Sequence, residues 1–378
     1  MLTELPIWGS NRGLLTFSVT NQCPARCGHC LACSGPDEEG MLSADQMLAV
    51  YREAKELRDI HVVVFTGGEP TLLADELFDA ISAVSLEGVL TRIVTNACWA
   101  DTDQSAQTMI RDLREAGLDE INFSMDDYHR VWVPLENVAR AYHAAKGAGF
   151  SAVVLAVAEG PKSRVGADWI RANIDPDIAI VPQEVSTRSG GPAPSLDGTV
   201  YEVSTHGYTR VGRARRMRDD LVIPDPLLSR QLFRCTEVMD VVVINSNNEV
   251  GACCGIQLHG NPVLTLGSLD HETFEGILEK GFQDHLLQAI RVLGPKYLLD
   301  LARMQDPTIE PRPFYCHICE ICEDVTRNPR VIAALSGMEA VIVKDIQLRM
   351  ASVNRGPQTC DPESRESDEP VPGGREVA

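Results

Sequence analysis

From Leu14 to about Val185, short runs of apolar and β-branched residues alternate with amphipathic stretches of helical period. The strands predicted are Leu14–Thr20, His61–Thr66, Val89–Thr95, Glu120–Met125, Ser151–Val157 and Ile178–Glu184. Helices fall between them near Ala44–Arg58, Leu72–Ser85, Asp103–Ala116, Leu135–Ala148 and Ala167–Ile174. Ser43 and Asp101 or Thr102 sit where N-caps belong, and Gly117 and Gly149 where helices stop. Six strands separated by helices imply right-handed βαβ units. The fold expected is α/β, a partial (β/α)6 TIM-like barrel whose reactive groups sit on loops at the C-terminal strand ends.

The pattern breaks over residues 186–232, where Gly190-Gly191-Pro192-Ala193-Pro194 and Pro224-Asp225-Pro226 mark irregular chain. A smaller C-terminal module follows, with a hairpin of Val241–Ile244 and Val250–Cys253 turning at Asn245–Asn248, and helices near Glu272–Val292 and Pro329–Met350. The expected division is a lead-in over 1–13, the barrel over 14–185, a linker over 186–232, the module over 233–353 and an acidic, disordered tail over 354–378.

Composition narrows the functions available. The 378 residues are 44% hydrophobic, enough for a large core. A net charge of -20 repels phosphates and argues against nucleic acid as a partner. One local exception, Arg210–Arg218, is a solvated basic loop or a dock for an acidic peptide or phosphate. No run of eighteen apolar residues exists to span a membrane, and Met1–Pro6 lacks the basic start of a signal peptide. A cytoplasmic location is expected, where thiols stay reduced. Twelve cysteines, mostly in tight groups, then point to metal ligands before disulfides.

The N-terminal group is Cys23, Cys27 and Cys30, spaced C-x3-C-x2-C directly after the first strand. Three close thiolates can hold three corners of a [4Fe–4S] cube and leave the fourth iron open to a small molecule. A zinc site is the alternative, with Cys33 or His29 as fourth ligand. The second strand ends in Gly67-Gly68-Glu69-Pro70, where glycines permit close backbone approach to a ligand and Glu69 supplies acceptors for an ammonium group. The third strand ends at Asn96 and the fourth at Ser124-Met125-Asp126-Asp127-Tyr128-His129. Asp126, Asp127 and His129 are candidate catalytic residues because such groups move protons. Arg164 is a surface arginine or a carboxylate partner.

With these motifs the chain resembles the radical S-adenosylmethionine (SAM) superfamily over residues 14–185. The resemblance implies that Cys23, Cys27 and Cys30 hold [4Fe–4S] and that the amino and carboxylate groups of SAM chelate the open iron. It implies that Gly67, Gly68, Glu69 and Pro70 contact the methionine amine, and that Asn96, Ser124 and Asp126 reach the ribose or carboxylate. His29 stands where the family has an aromatic residue near the adenine. Cys98, beyond the third strand, is either a hydrogen donor to a substrate radical or a small buried hydrophobe.

The module carries Cys235, Cys253, Cys254, Cys316, Cys319 and Cys322. Cys235-x12-Asn248-x4-Cys253 is similar to the auxiliary-cluster pattern of SPASM and twitch extensions, with Asn248 in place of the usual turn glycine. Six cysteines suit one auxiliary [4Fe–4S] cluster, held by Cys235, Cys253 or Cys254, and two of Cys316, Cys319 and Cys322; structural zinc is the alternative.

The resemblance implies an oxidoreductase that cleaves SAM reductively, abstracts a hydrogen from substrate, and takes electrons from a reductant such as flavodoxin or ferredoxin. Oxidative modification, crosslinking or epimerisation of a ribosomal peptide is the leading expectation. Only thirteen residues precede the first strand, leaving no room for a leader-binding domain. That favours the alternative substrate, a small sugar or aminocyclitol that is dehydrogenated or rearranged. An iron–sulfur protein without turnover is the third reading.

Overall fold

A computed structural model describes residues 13–182, 193–253 and 260–354. One ten-stranded sheet organises the molecule. Its strands are β1 (Leu14–Thr20), β2 (Val62–Gly67), β3 (Leu90–Thr95), β4 (Glu120–Ser124), β5 (Ala152–Glu159), β6 (Ala179–Pro182), β7 (Val200–Gly207), β8 (Val241–Asn245), β9 (Glu249–Gly251) and β10 (Thr265–Ser268). The helices are α1 (Ala44–Leu57), α2 (Ala74–Ser85), α3 (Asp103–Glu115), α4 (Leu135–Ala145), α5 (Ala167–Asn173), α6 (Phe274–Gln283), α7 (His285–Val292), α8 (Pro295–Gln305), α9 (Ile318–Arg327), α10 (Pro329–Leu335) and α11 (Glu339–Asn354).

Strand order is β10-β9-β8-β1-β2-β3-β4-β5-β7-β6, so β1 to β5 lie side by side in chain order, all parallel. This is the partial α/β barrel the alternation predicts. Phe17, Phe65 and Phe123 project from β1, β2 and β4 into a fully buried layer, and the first two rings lie 6.0 Å apart. Burying each ring contributes about 2–3 kcal/mol, which pins the strand ends where the candidate ligands sit. Ser43 closes a capping box with Gln46 at the start of α1, fixing where the loop after β1 must end.

Three expectations change. The stretch 186–232 is not simply linker, because it contains β7, which pairs with β5 and displaces β6 to the sheet edge. Its inward residues include Glu202 and Ser204, both buried, so its apolar signal is weak. The helix expected over Glu272–Val292 breaks at Asp284, whose extended backbone ends α6 and whose side chain accepts from the Leu287 N–H to start α7. The helix expected over Pro329–Met350 is likewise two, α10 and α11. The N-terminal lead-in up to residue 12, residues 183–192 and the tail from 355 lie outside the described residues. No described helix is long and apolar enough to cross a membrane.

Candidate active site

The chain leaves β1 at Thr20 and makes a long loop that closes on itself. The Cys23 N–H donates to the Gly35 carbonyl at 3.0 Å and the Thr20 hydroxyl to the Gly40 carbonyl at 2.9 Å. Cys23 and Cys27 are buried within it and Cys30 is half-buried. The end of β2 is stitched to this loop, with Gly68 N–H donating to the Thr20 carbonyl at 2.6 Å and Glu69 N–H to the Gln22 carbonyl at 2.9 Å. A Cβ on Gly68 would stand 2.0 Å from the Gln22 carbonyl oxygen. The glycines therefore let β2 approach the cysteine loop closely. Gly68→Ala should cost about 3 kcal/mol or more through backbone displacement, read as a lower urea midpoint and less iron bound per chain.

Glu69 is fully buried. Its carboxylate accepts from the Thr71 N–H and hydroxyl, the Thr95 hydroxyl at 2.7 Å and the Asn96 N–H at 2.8 Å. Burial pushes its carboxyl up while these donors pull it down, with a net rise. With four donors in place, this side chain braces the ends of β2 and β3 and does not face outward as the expected ammonium acceptor. Pro70 opens the short 3₁₀ turn Pro70–Leu73 behind it. Asn96 reaches the cysteine loop itself, its Nδ2 donating to Cys23 Sγ at 3.4 Å. Cys98 packs against the main core, and its thiol is pushed up to about 12 by burial, then by Glu69 and Cys23, so it is protonated at neutral pH.

Burial likewise pushes the Cys23 thiol up to about 11 and Cys27 up to about 12, and the thiols raise one another. Ionising them in place calls for a strongly cationic centre. Among the described residues no three cysteine sulfurs lie within 4.8 Å of one another. One tetrahedral zinc would draw its sulfurs to about 3.8 Å apart, given Zn–S bonds of about 2.3 Å. Holding a single zinc would therefore require the thiols to draw together. His29, the other zinc candidate, is engaged elsewhere.

That engagement is with Asp126, which is buried at the end of β4. One carboxylate oxygen meets His29 Nε2 at 2.8 Å and His129 Nδ1 at 2.9 Å; the other accepts the N–H groups of Tyr128 and His129. Burial opposes ionisation, yet His129 and His29 hold the Asp126 carboxyl well below the usual carboxylate range. His29 stacks on Tyr128 at 5.0 Å, and Tyr128 packs on the cysteine loop. The buried Nδ1 of His29 has no partner, an acceptor or donor left over for a ligand. Asp127 differs: it accepts from Arg130 Nε at 2.7 Å and from the Arg164 and Val165 N–H groups, tying the loops after β4 and β5 together. It is a brace and not a free base, and Arg164 enters through its backbone. Ser124 closes β4, half-buried.

In the module, Cys235 and Cys319 both act on the thiol of Cys322, which is buried and raised well above its usual range. Cys253 is buried beyond β9, and the Met239 N–H to Ala252 carbonyl bond at 2.8 Å brings its neighbour to the turn after Cys235. Asn248 has φ of 57°, the left-handed turn expected of it. Cys316 departs from this group. It packs with Ala158, Tyr208 and Val222 beside Tyr128, at the barrel mouth, so Cys319 and Cys322 are the pair nearest Cys235. Cys254 lies outside the described residues.

The basic run divides, its first arginine buried and engaged while Arg215, Arg216 and Arg218 stay exposed to solvent. Arg210 is buried, donating to both oxygens of Glu320, to Asp219 and to the Phe314 carbonyl, and Arg215 pairs with Glu323 at 2.6 Å. The sequence singles out His29, Asp126 and His129 separately but not their contact, because His29 and Asp126 are 97 residues apart.

The profile of the radical SAM superfamily matches residues 17–158. Residues 17–158 are a radical SAM domain. The superfamily uses a [4Fe–4S] cluster and SAM, and the matched span holds the cysteine loop, Gly67–Pro70, Asn96 and Asp126. The chain is 31% identical over 134 residues to the tungsten-containing aldehyde ferredoxin oxidoreductase cofactor-modifying protein of Pyrococcus furiosus, covering 35% of each. It is 35% identical over 115 residues to the GTP 3′,8-cyclase of Mycobacterium sp. (strain KMS), covering 30% of this chain and 31% of that one. The peptide biosynthesis protein YydG of Bacillus subtilis is 21% identical over 124 residues, 33% of this chain and 39% of that one. The chain thus spans about a third of the length of the curated relatives it matches. Among solved structures, SuiB of Streptococcus suis bound to SAM aligns at a TM-score of 0.41 and 15% identity over 75% of this chain and 68% of that one.

Proposed function

We propose that this radical SAM enzyme oxidatively modifies, crosslinks or epimerises a ribosomally made peptide, using a second iron–sulfur cluster in its C-terminal module. The observation that carries the reading is the presence of two separate cysteine groups, with a histidine–aspartate–histidine chain at the barrel mouth. Cys23, Cys27 and Cys30 would hold the first cluster. Cys235, Cys319 and Cys322, with Cys253 or Cys254, would hold the second. Bound together, the first cluster and SAM supply a 5′-deoxyadenosyl radical able to take hydrogen from an unactivated carbon. The relative named for peptide biosynthesis supports a peptide as substrate.

The chain's own residues supply alignment and proton handling. Asp126 fixes both imidazoles through their N–H groups, leaving His129 Nε2 as the base for a proton leaving the substrate. Asn96 and the unpartnered His29 Nδ1 offer polar contacts around SAM. Tyr128 and Tyr208, edge to face at 5.1 Å, wall the mouth against water. An outside reductant of the flavodoxin or ferredoxin type would deliver the electron.

A base beside the radical site also suits oxidation of a small alcohol, where an O–H proton must leave, so dehydrogenation of a sugar or aminocyclitol is the second reading. Anaerobic incubation with SAM and reductant should yield 5′-deoxyadenosine, and a candidate precursor peptide should gain a mass change. A mass change only in an amino sugar would replace the peptide reading. His129→Ala should lower product about a hundredfold while 5′-deoxyadenosine still forms, so the ratio of the two by mass spectrometry collapses.

A further inference from the structure

We infer that Arg213, from the chain between the barrel and the C-terminal module, is a positioning residue that clamps the cysteine loop and places an uncompensated positive charge beside it. The inference rests on the reading of that loop as a cluster seat. Arg213 makes three bonds to the loop. Its Nη1 donates to the Cys27 carbonyl at 2.7 Å, its Nη2 to the Ser34 carbonyl at 2.6 Å, and its own N–H to the Cys30 carbonyl at 3.0 Å. One rigid guanidinium fork thus spans the loop from its second cysteine to its closing turn.

The contact is built for close approach. Gly212 has φ of 56°, and a Cβ there would stand 2.3 Å from the Leu31 carbonyl oxygen and 2.8 Å from that of Cys30. No residue with a side chain fits, so Gly212 and Arg213 act as a pair. The segment is anchored on both sides. Arg210 is locked on Glu320 and Arg215 on Glu323, both carboxylates buried in α9, the helix that bears Cys319 and Cys322. The clamp is therefore held from the module that carries the second cysteine group.

Its charge is directed at the loop. Arg213 forms no ion pair among the described residues, unlike Arg210 and Arg215. Its guanidinium lies against the Cys27 carbonyl and its main-chain N–H against that of Cys30, so the charge sits at the two later cysteines. A fixed cation beside a cluster stabilises whichever oxidation state carries more negative charge, which is the reduced one.

The test is an anaerobic redox titration of the reconstituted protein followed by electron paramagnetic resonance, paired with amide hydrogen exchange over residues 23–35 of the iron-free chain. In Arg213→Gln the reduced-to-oxidised ratio of the first cluster at a fixed potential should fall about tenfold, a displacement of about 59 mV for one electron. Exchange of the loop amides should rise. Arg213→Lys keeps the charge but not the fork, so it should hold the wild-type potential to within about twofold in the same ratio while its loop exchanges faster. Gly212→Ala should raise exchange as Arg213→Gln does.

An unchanged potential in Arg213→Gln overturns the electrostatic role, and unchanged exchange overturns the clamp. Should Arg213→Gln bind no iron, Arg213→Lys decides: a potential displaced as far as tenfold overturns the role of charge. Wild-type protein that binds no iron at Cys23, Cys27 and Cys30 sinks the cluster reading instead, and the exchange comparison on the iron-free chain still judges the clamp.

Discussion

Cys23→Ala/Cys27→Ala/Cys30→Ala protein, reconstituted without oxygen, is expected to keep about four of about eight irons and to form no 5′-deoxyadenosine. The two halves of this result come from different parts of the molecule. Loss of cleavage follows because the loop between β1 and α1 keeps one other thiol, Cys33, where a cube needs three, and His29 is bound to Asp126. Retention of iron follows because Cys235, Cys319 and Cys322 are held by elements the substitutions do not touch. Glu320 and Glu323 fix α9 against Arg210 and Arg215, and Arg291 holds the turn after Cys235 through the carbonyls of Thr236 and Val238. Iron analysis and Mössbauer spectra give the count. A triple variant stripped of all iron would remove the second cluster, and one retaining zinc alone would restore the structural-zinc alternative.

Glu69→Ala is expected to destabilise the protein by about 4 kcal/mol, lowering Tm by about 5 °C. The substitution takes one carboxylate from four donors on Thr71, Thr95 and Asn96, in a place water does not reach. Each abandoned donor loses its partner, and a cavity is left between β2 and β3. Glu69→Gln preserves volume and one acceptor oxygen, so about half the loss is expected. Calorimetry on the iron-free chain checks both values, and a Glu69→Ala chain melting like wild type would mean the brace is dispensable. Iron binding should weaken in parallel, since Asn96 also donates to Cys23.

The parallel barrel was legible because β1 to β5 are apolar runs punctuated by capped helices, and their ends fall within about two residues of expectation. The cysteine triplet and Gly67–Pro70 were legible because their meaning lies in local spacing. What the pattern could not show depends on contacts across long separations. β7 was hidden by Glu202 and Ser204, polar residues turned inward. Glu69 looks like a ligand in sequence, and only the arrival of Thr95 and Asn96 from β3 shows its carboxylate to be engaged. Cys316 looks like one of a C-x2-C-x2-C set with Cys319 and Cys322, but it precedes α9 and falls on the Tyr208 side. Arg213 carried no signal at all beyond membership of a basic run, because a clamp on main-chain carbonyls has no residue-type partner to notice.

The register of β8 against β1, with Leu14 opposite Val241 and Ser18 opposite Asn245, means that the chain's last third supplies the neighbouring hydrogen-bonding row for its first strand. The two halves are therefore not interchangeable cassettes. Excising the catalytic half alone would bare one whole side of β1, an adhesive edge prone to self-association, so any minimal or chimeric enzyme must carry Val241–Ser268 along with it.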